Sequence, residues 1–401
     1  MFRAGVVLLV CFLSPLFLKA QVVYRGTVSD KESGRPVQAA SVFFSNTSYG
    51  ATSKADGSFR LNLPARGVYD MVVAVVGYET FTLHVTPATP DTIRVQLQPK
   101  VKELEAIVLQ SFEKDGWKKW GKTFSESFLG RTGNALDCEI VNYQDIRFRY
   151  DNAKRELIAI AYKPLIIQNR ALGYTIQYQM EQFSFNFRQG YLLYTGYPLF
   201  EEMQSSDRQM KKWARKREQA YWGSLMHFMR SLYGKRLLEN NFRMYRMSLV
   251  PNEEKQRIKP LYKQIQFTPD GKPVTVSYDS VFYYNQILKQ SDELEMVEQT
   301  ALSADSVSYP IDGATIGMKF DEYLKVEYTV KKGAAFAEQM SGTTQWRANP
   351  TSNIKLMNNE PLRVNSNGAF YNPINLVTSG YWSQSEKMAN MLPFDYQSSY
   401  K

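Results

Sequence analysis

The stretch SVFFSNTSYGATSKADGSFRLNLP, residues 41–64, decides the fold of the first part of the chain. With Ala40 before it, its opening reads as a strand. Asp56-Gly57 is a tight-turn dipeptide of the kind that closes hairpins, because glycine takes positive φ without a Cβ penalty. Beyond it Phe59, Leu61 and Leu63 alternate with Ser58, Arg60 and Asn62, the period-two pattern of a strand with one buried and one wet face. Working outward, VVYRGTVSD (22–30) reads as a strand stopped by KESGRP, where Gly34 and Pro36 break the pattern. YDMVVAVVGYETFTLHV (69–85) has a continuous apolar run suited to burial on both sides, and DTIRVQLQ (91–98) sets Ile93, Val95 and Leu97 on one face. Short strands between turn signals are the pattern of a β-sandwich.

The order Gly26, Val28, Asp30, Gly34, Pro36, Ala40-Ser41-Val42, Gly50, Thr52, Asp56-Gly57, Phe59 and Gly77-Tyr78 resembles the carboxypeptidase-like regulatory domain. That resemblance implies a transthyretin-like or immunoglobulin-like sandwich over residues 21–99. In Gram-negative bacteria the family's domain often heads TonB-dependent outer-membrane receptors, where a Leu-x-Glu-(Val/Ile)-Val-Val strand follows it. LEAIVL (104–109) is similar to that segment. The resemblance implies a binding or structural accessory rather than a catalyst.

Residues 1–20 carry a signal-peptide pattern: Arg3, the apolar run GVVLLVCFLSPLFL, then LKA before Gln21. The run is short for a membrane span, and Cys11 lies inside it rather than at a lipoprotein cleavage point. No later apolar run approaches membrane length, so the mature chain is expected to have no transmembrane span. The formal charge of +10 becomes +8 once Arg3 and Lys19 are removed. Such a balance favours an anionic surface, while export argues against nucleic acid as a partner. One cysteine remains after cleavage, Cys138 in NALDCEIVN, so the mature chain has no internal disulfide. It is either a buried small hydrophobe or a reactive thiol, and its neighbours supply no activating positive charge.

A zinc carboxypeptidase holds its metal with His-x-x-Glu and a distant His. This chain has two histidines, His84 and His227, and neither has Glu three residues on. No metal site and no cofactor are expected. There is no Gly-x-Ser-x-Gly elbow, Walker loop, dinucleotide fingerprint or EF-hand loop. Ser224, three residues before His227 on one expected helix, reads as a packing residue, and His227 as an ordinary polar residue off the apolar stripe. Glycosidase chemistry needs only two carboxylates. Glu201-Glu202 and SDELEMVE (291–298) supply acids, in runs more typical of solvated surface.

From residue 111 the pattern changes, after a linker strand at 100–110. SFEKDGWKKWGKTFSESFLG (111–130) places Trp117, Trp120 and Phe124 on one helical face. IRFRY (146–150) and ELIAIAYKPLIIQN (156–169), split by Pro164, read as strands. In YTIQYQMEQFSFNF (174–187) the apolar parity slips near Glu181, which predicts a β-bulge, and FRQGYLLYTGYPLF (187–200) returns as a hairpin. A single long helix is expected over 207–233, with Met210, Trp213, Ala214, Tyr221, Leu225, Phe228 and Leu232 on its apolar stripe. Arg208, Lys212, Arg215 and Lys216 project the other way, with Arg217 at the stripe's edge. That basic face is either an anion-binding surface for lipid phosphates or an acidic partner, or a solvated helix face. FRMYRMSLV (242–250), KQIQFTP (263–269) with the turn Asp270-Gly271, VTVSYDSVFYYN (274–285) and YLKVEYTV (323–330) read as further strands, before a short helix and irregular tail at 380–401.

The phrases FLG at Phe128, ALGY at Ala171, GYPLF at Gly196, HFMRSLY at His227 and GYWS with LPFDY near the end resemble the partner region of uncharacterised secreted proteins that start with the same regulatory domain. This second resemblance implies no activity. The charged helix and the QSSYK end argue against an outer-membrane barrel. The expected fold is mainly β: a seven-stranded-type sandwich at 21–99, then an antiparallel β-rich α+β domain at 111–401. The expected role is an exported, non-catalytic binding or scaffolding accessory at the periplasm or outer membrane, with an envelope protein or an anionic surface as partner. The alternative is a metal-independent hydrolase of envelope glycans or peptides, using a carboxylate pair in the second domain.

Overall fold

The computed structural model describes residues 22–63, 68–100, 112–266, 278–330 and 349–399. The signal segment 1–20, LEAIVL, the Asp270-Gly271 turn and, beyond residue 100, the linker at 100–110 lie outside them. Two compact units are distinguished, parting between residues 100 and 112, with Asn46–Ser48 grouped with the second.

Seven strands build the first unit: β1 (Val22–Asp30), β2 (Ser41–Phe44), β3 (Gly50–Thr52), β4 (Ser58–Leu63), β5 (Tyr69–Ala74), β6 (Phe81–Val85) and β7 (Thr92–Leu97). They form two sheets, β4-β1-β7 and β3-β2-β5-β6, in which β1 and β7 run parallel. Tyr24, Val28, Val42, Phe44, Leu61, Met71, Val73 and Val95 fill the core between them. Met71, Val72 and Val73 are all fully buried, as the continuous apolar run of β5 requires. β1 ends at Asp30, whose carboxylate accepts the N–H groups of Glu32 (3.0 Å) and Ser33 (2.7 Å) and the hydroxyl of Tyr78 (2.8 Å). The Ser33 backbone bond first, then the Tyr78 bond, hold that carboxyl below its usual range. The Asp56-Gly57 turn forms, with Gly57 at φ 76°. It does not close a hairpin: β3 pairs with β2 and β4 with β1, so the turn carries the chain from one sheet to the other.

The second unit opens with helix α1 (Gly116–Phe128). β8 (Cys138–Ile140), β9 (Ile146–Asp151), β10 (Glu156–Ala161), β11 (Leu165–Asn169), β12 (Tyr174–Asn186) and β13 (Tyr191–Glu202) follow. They make one sheet in the order β8-β11-β12-β10-β9, with β13 paired to β12. The register slips between Met180 and Gln182, where the sequence parity slips. Phe124 and Phe128 of α1 pack onto this sheet with Phe148, Tyr178 and Phe183.

Helices α2 (Asp207–Tyr221) and α3 (Leu225–Tyr233) replace the single helix expected over 207–233. The break falls at Gly223, φ 80°, and Ser224 caps α3 by accepting the His227 N–H at 3.1 Å. Ser224 is buried, as a packing residue would be, and serves besides as the cap of α3. After it come β14 (Phe242–Pro251), α4 (Glu253–Gln266), α5 (Tyr278–Lys289), β15 (Glu293–Val297), β16 (Ser308–Pro310), β17 (Thr315–Met318), β18 (Tyr323–Tyr328), β19 (Thr351–Leu356), β20 (Leu362–Asn365), β21 (Phe370–Tyr371), β22 (Leu376–Gly380) and α6 (Tyr381–Ser385). They build the sheets β15-β14-β18-β19-β22 and β16-β17-β20-β21 around a core of Phe228, Phe242, Leu324, Ile354 and Trp382.

The strands expected at 263–269 and 274–285 are corrected: 263–266 ends α4 and 278–285 lies in α5. Along α5, Asp279, Phe282, Tyr283, Gln286 and Lys289 are exposed while Val281, Tyr284, Asn285 and Leu288 are half-buried. That spacing is helical, so packing overrode the β-propensity of Val281 and the aromatic residues. α4 contains Pro260 in its interior, a residue that speaks against helix in any sequence reading. The fold is mainly β with open sheets. No helix among the described residues is long and apolar enough to cross a membrane.

Candidate functional site

α2 begins at Ser206, whose hydroxyl accepts the Gln209 N–H. One side of the helix is locked inward. Trp213 donates its indole N–H to Arg170 O at 2.8 Å and lies against Gly173, which has φ 72° and where a Cβ would sit 2.2 Å from the indole. One turn on, Arg217 is buried. Its guanidinium donates to Leu172 O (2.7 Å), Gly173 O (3.1 Å) and Glu202 (3.0 Å), and stacks 3.9 Å over the Tyr174 ring. The expected apolar stripe is corrected here: Ala214 is exposed, and Arg217 takes the inward position. A guanidinium fits there because two turn carbonyls and an aromatic face are waiting for it.

The opposite side carries the cations read from the sequence. Arg208, Lys212 and Arg215 are exposed and Lys216 is half-buried; Lys211, missed in the sequence, shares the face. None of the five forms an ion pair among the described residues, so the face is a strip of uncompensated positive charge on a rigid helix. At its start lies an open depression of 710 Å³ lined by Gln168, Arg170, Thr175, Met203, Gln204, Ser205, Ser206, Gln209 and Trp213.

The acids weighed for hydrolysis go elsewhere. Glu202 pairs with Arg217, and Glu201 accepts from Gln177 at 2.8 Å. In the 291–298 run Asp292 pairs with Lys255 and Lys259, and Glu295 with Lys325. None of these acids lines the depression. No group of three or more His, Cys, Asp or Glu among the described residues could hold a metal ion. Cys138 donates its thiol to Asn134 O (3.3 Å), and burial pushes that thiol up to about 12, which removes the thiolate reading.

His227 is not the ordinary polar residue expected. It is 2% exposed, ringed by Tyr221, Trp222, Phe242 and Tyr328 at centroid distances of 4.9, 4.7, 4.9 and 5.9 Å. Its Nδ1 accepts the Gly223 N–H at 3.2 Å. The break at Gly223 resets the helical phase and turns this residue inward. Sequence reasoning also missed Glu218. Its carboxylate accepts from Trp222 Nε1 (3.0 Å), Ser398 Oγ (2.7 Å) and the N–H and hydroxyl of Ser399 (2.6 and 2.9 Å). Burial alone would raise that carboxyl, yet the serine bonds hold it below its usual range. Arg230 completes the hold on the tail through Phe394 O and Tyr396 O.

Glu386 accepts the Leu225 N–H (3.2 Å) at the start of α3, and burial raises its carboxyl to about 7 from the ordinary 4.5. Burial likewise lowers the adjacent Lys387 to about 8. An acid with a raised folded value stabilises the fold fully below 4.5 and loses that contribution as pH rises through about 7. Glu386→Gln keeps an acceptor for Leu225 and cannot ionise. The variant should gain about 2 kcal/mol over the parent between pH 5 and pH 8. Thermal unfolding at the two pH values tests this, and parallel losses in both proteins would refute it.

Residues 24–109 match the CarboxypepD_reg-like domain family. No curated protein matches the chain. Among solved structures, a Bacteroides uniformis protein proposed to bind carbohydrate aligns at 10% identity and TM-score 0.17, covering 45% of this chain and 79% of that one. A Bacteroides fragilis protein of unknown function, proposed to be membrane-associated, aligns at 11% identity and TM-score 0.15, covering 86% of this chain and 93% of that one. At those scores neither superposition bears on the fold. The sandwich that ends its first strand at Asp30 and ties it to Tyr78 is a CarboxypepD_reg-like domain.

Proposed function

We propose that this chain is an exported, non-catalytic envelope protein, a binding or scaffolding accessory at the periplasm or outer membrane. One observation carries the reading: α2 holds Arg208, Lys211, Lys212, Arg215 and Lys216 on one face without an ion pair among the described residues, while Trp213 and Arg217 fix the helix from behind. A fixed row of uncompensated cations suits an anionic surface, on a partner protein or on the envelope itself. The CarboxypepD_reg-like domain, an accessory module rather than a catalytic one, supports the same role.

The test is association with gently solubilised envelopes. Arg208→Glu, Lys212→Glu and Arg215→Glu together, or deletion of 22–99, should each weaken retention of a stoichiometric partner. Exposed charges contribute up to about 1 kcal/mol apiece, so the triple reversal should cost roughly tenfold or more in affinity. Unchanged retention in both variants would overturn the proposal.

A further inference from the structure

β14 spends its length on two neighbours in turn. Phe242–Met247 pairs with β18, and Met247–Pro251 pairs with β15. Beyond Met247 the two strands β14 and β15 therefore run as a ribbon, and β15 ends the order of its sheet. Every residue from 289 to 301 is exposed. The ribbon is anchored at its base by Asn252, which is 2% exposed. Its N–H donates to Asp292 O at 2.8 Å, and its amide donates to Gln290 Oε1 and Ser291 O at 3.1 Å each. The strand is thus presented in a fixed place with an outer row of backbone donors and acceptors that no strand pairs among the described residues.

Its side chains are unlike those of a protected edge. Leu294 is 44% and Met296 58% exposed on one face, beside acids on the other. In a chain of net charge +10, residues 289–301 hold Asp292, Glu293, Glu295 and Glu298 against the single cation Lys289. Asp292 and Glu295 are paired, whereas the carboxylates of Glu293 and Glu298 have no partner among the described residues. Antiparallel pairing with a second copy of β15 centred on Leu294 or on Glu295 sets glutamate directly against glutamate, which leaves a self-pair only the registers centred on Met296 or beyond.

We infer that the outer edge of β15 is a docking edge for an extended segment of a partner protein in which Lys or Arg alternates with apolar residues. The segment adds one strand to the five-stranded sheet through main-chain hydrogen bonds. A cation of the segment lies against the Glu293 carboxylate, Glu295 staying with Lys325 and Asn353, and its apolar residues cover Leu294 and Met296. The basic face of α2 is a separate surface of opposite sign, so this edge stands or falls independently of the function proposed above.

The experiment uses the full chain and a fluorescent, end-capped heptapeptide of alternating Lys/Arg and Val. Controls are the same peptide N-methylated at alternate residues and one with Glu in place of every cation. Anisotropy should show binding to the parent, weakened several-fold to about tenfold by Glu293→Lys, and loss of binding for both control peptides. Amide exchange along 293–297 should slow when the basic peptide is bound. No binding, binding indifferent to the Glu293 reversal or to N-methylation, or unchanged exchange in β15 would each overturn the inference.

Discussion

Arg217→Ala is expected to destabilise the second unit by about 2–4 kcal/mol, from the lost charge-assisted hydrogen bonds to turn carbonyls and the lost packing over Tyr174. The guanidinium donates to Leu172 O at 2.7 Å and to Gly173 O at 3.1 Å, the latter also accepting the Met203 N–H. Those carbonyls belong to the tight turn between β11 and β12, where Gly173 has φ 72°. Alanine leaves the turn without its charged donor, uncovers the Tyr174 face and opens a void the length of an arginine. Glu202 is half-exposed and can return to water, so its loss of a partner adds little. Arg217→Lys should recover less than half of the loss. A point ammonium cannot reproduce two directed bonds and a planar stack. Urea unfolding followed by tryptophan fluorescence measures both. A change below about 1 kcal/mol for the alanine variant would show that the turn satisfies itself.

The same residue separates two ways of losing function. Arg217→Ala would dislodge α2 and carry the basic face with it, lowering stability and association together. The triple reversal at Arg208, Lys212 and Arg215 touches exposed side chains only and should change association at nearly constant stability. Comparing them shows whether the cations or merely the intact helix matter for retention.

What the sequence shows depends on how far apart the deciding residues lie. Alternation in 58–63 and 92–97 is local, and β4 and β7 are where that pattern puts them. The Asp56-Gly57 turn is local too, yet which strands it joins is decided by β1 and β2, far from the dipeptide. Apolar spacing runs on through 207–233 and hides the helix break, although Gly223 followed by the capping Ser224 carried the signal. Four of the five cations on this face of α2 could be read from helical period alone. Arg217 could not, since its acceptors lie 44 and 45 residues upstream. Glu218 closes on Ser398 and Ser399 over separations of 180 and 181 residues, beyond any periodic pattern.

Gly26→Ala should disrupt the first unit at a cost on the order of 3 kcal/mol, the upper end for overpacking a filled core. Gly26 has no positive φ, so its glycine is not demanded by backbone conformation. The demand is for space. β1 lies between β4 and β7, with Gly26 opposite Phe59 on one side and Ile93 on the other. A Cβ there would sit 1.9 Å from Ile93 O and 2.7 Å from the Phe59 ring. The ring can turn aside, but the carbonyl belongs to β7 and yields only if the β1–β7 pairing parts. Gly34 is the converse: φ is 69° and nothing lies within 4 Å of a Cβ, so Gly34→Ala meets only conformational strain, about 1 kcal/mol. Amide exchange in the full-length protein separates the two. Protection across β1, β4 and β7 should fall steeply for Gly26→Ala and slightly for Gly34→Ala, with β12 and β13 unchanged in both. If Gly34→Ala proves the more damaging, turn conformation rather than close strand approach limits this sandwich, and the place of Gly26 in the family's residue pattern needs another cause.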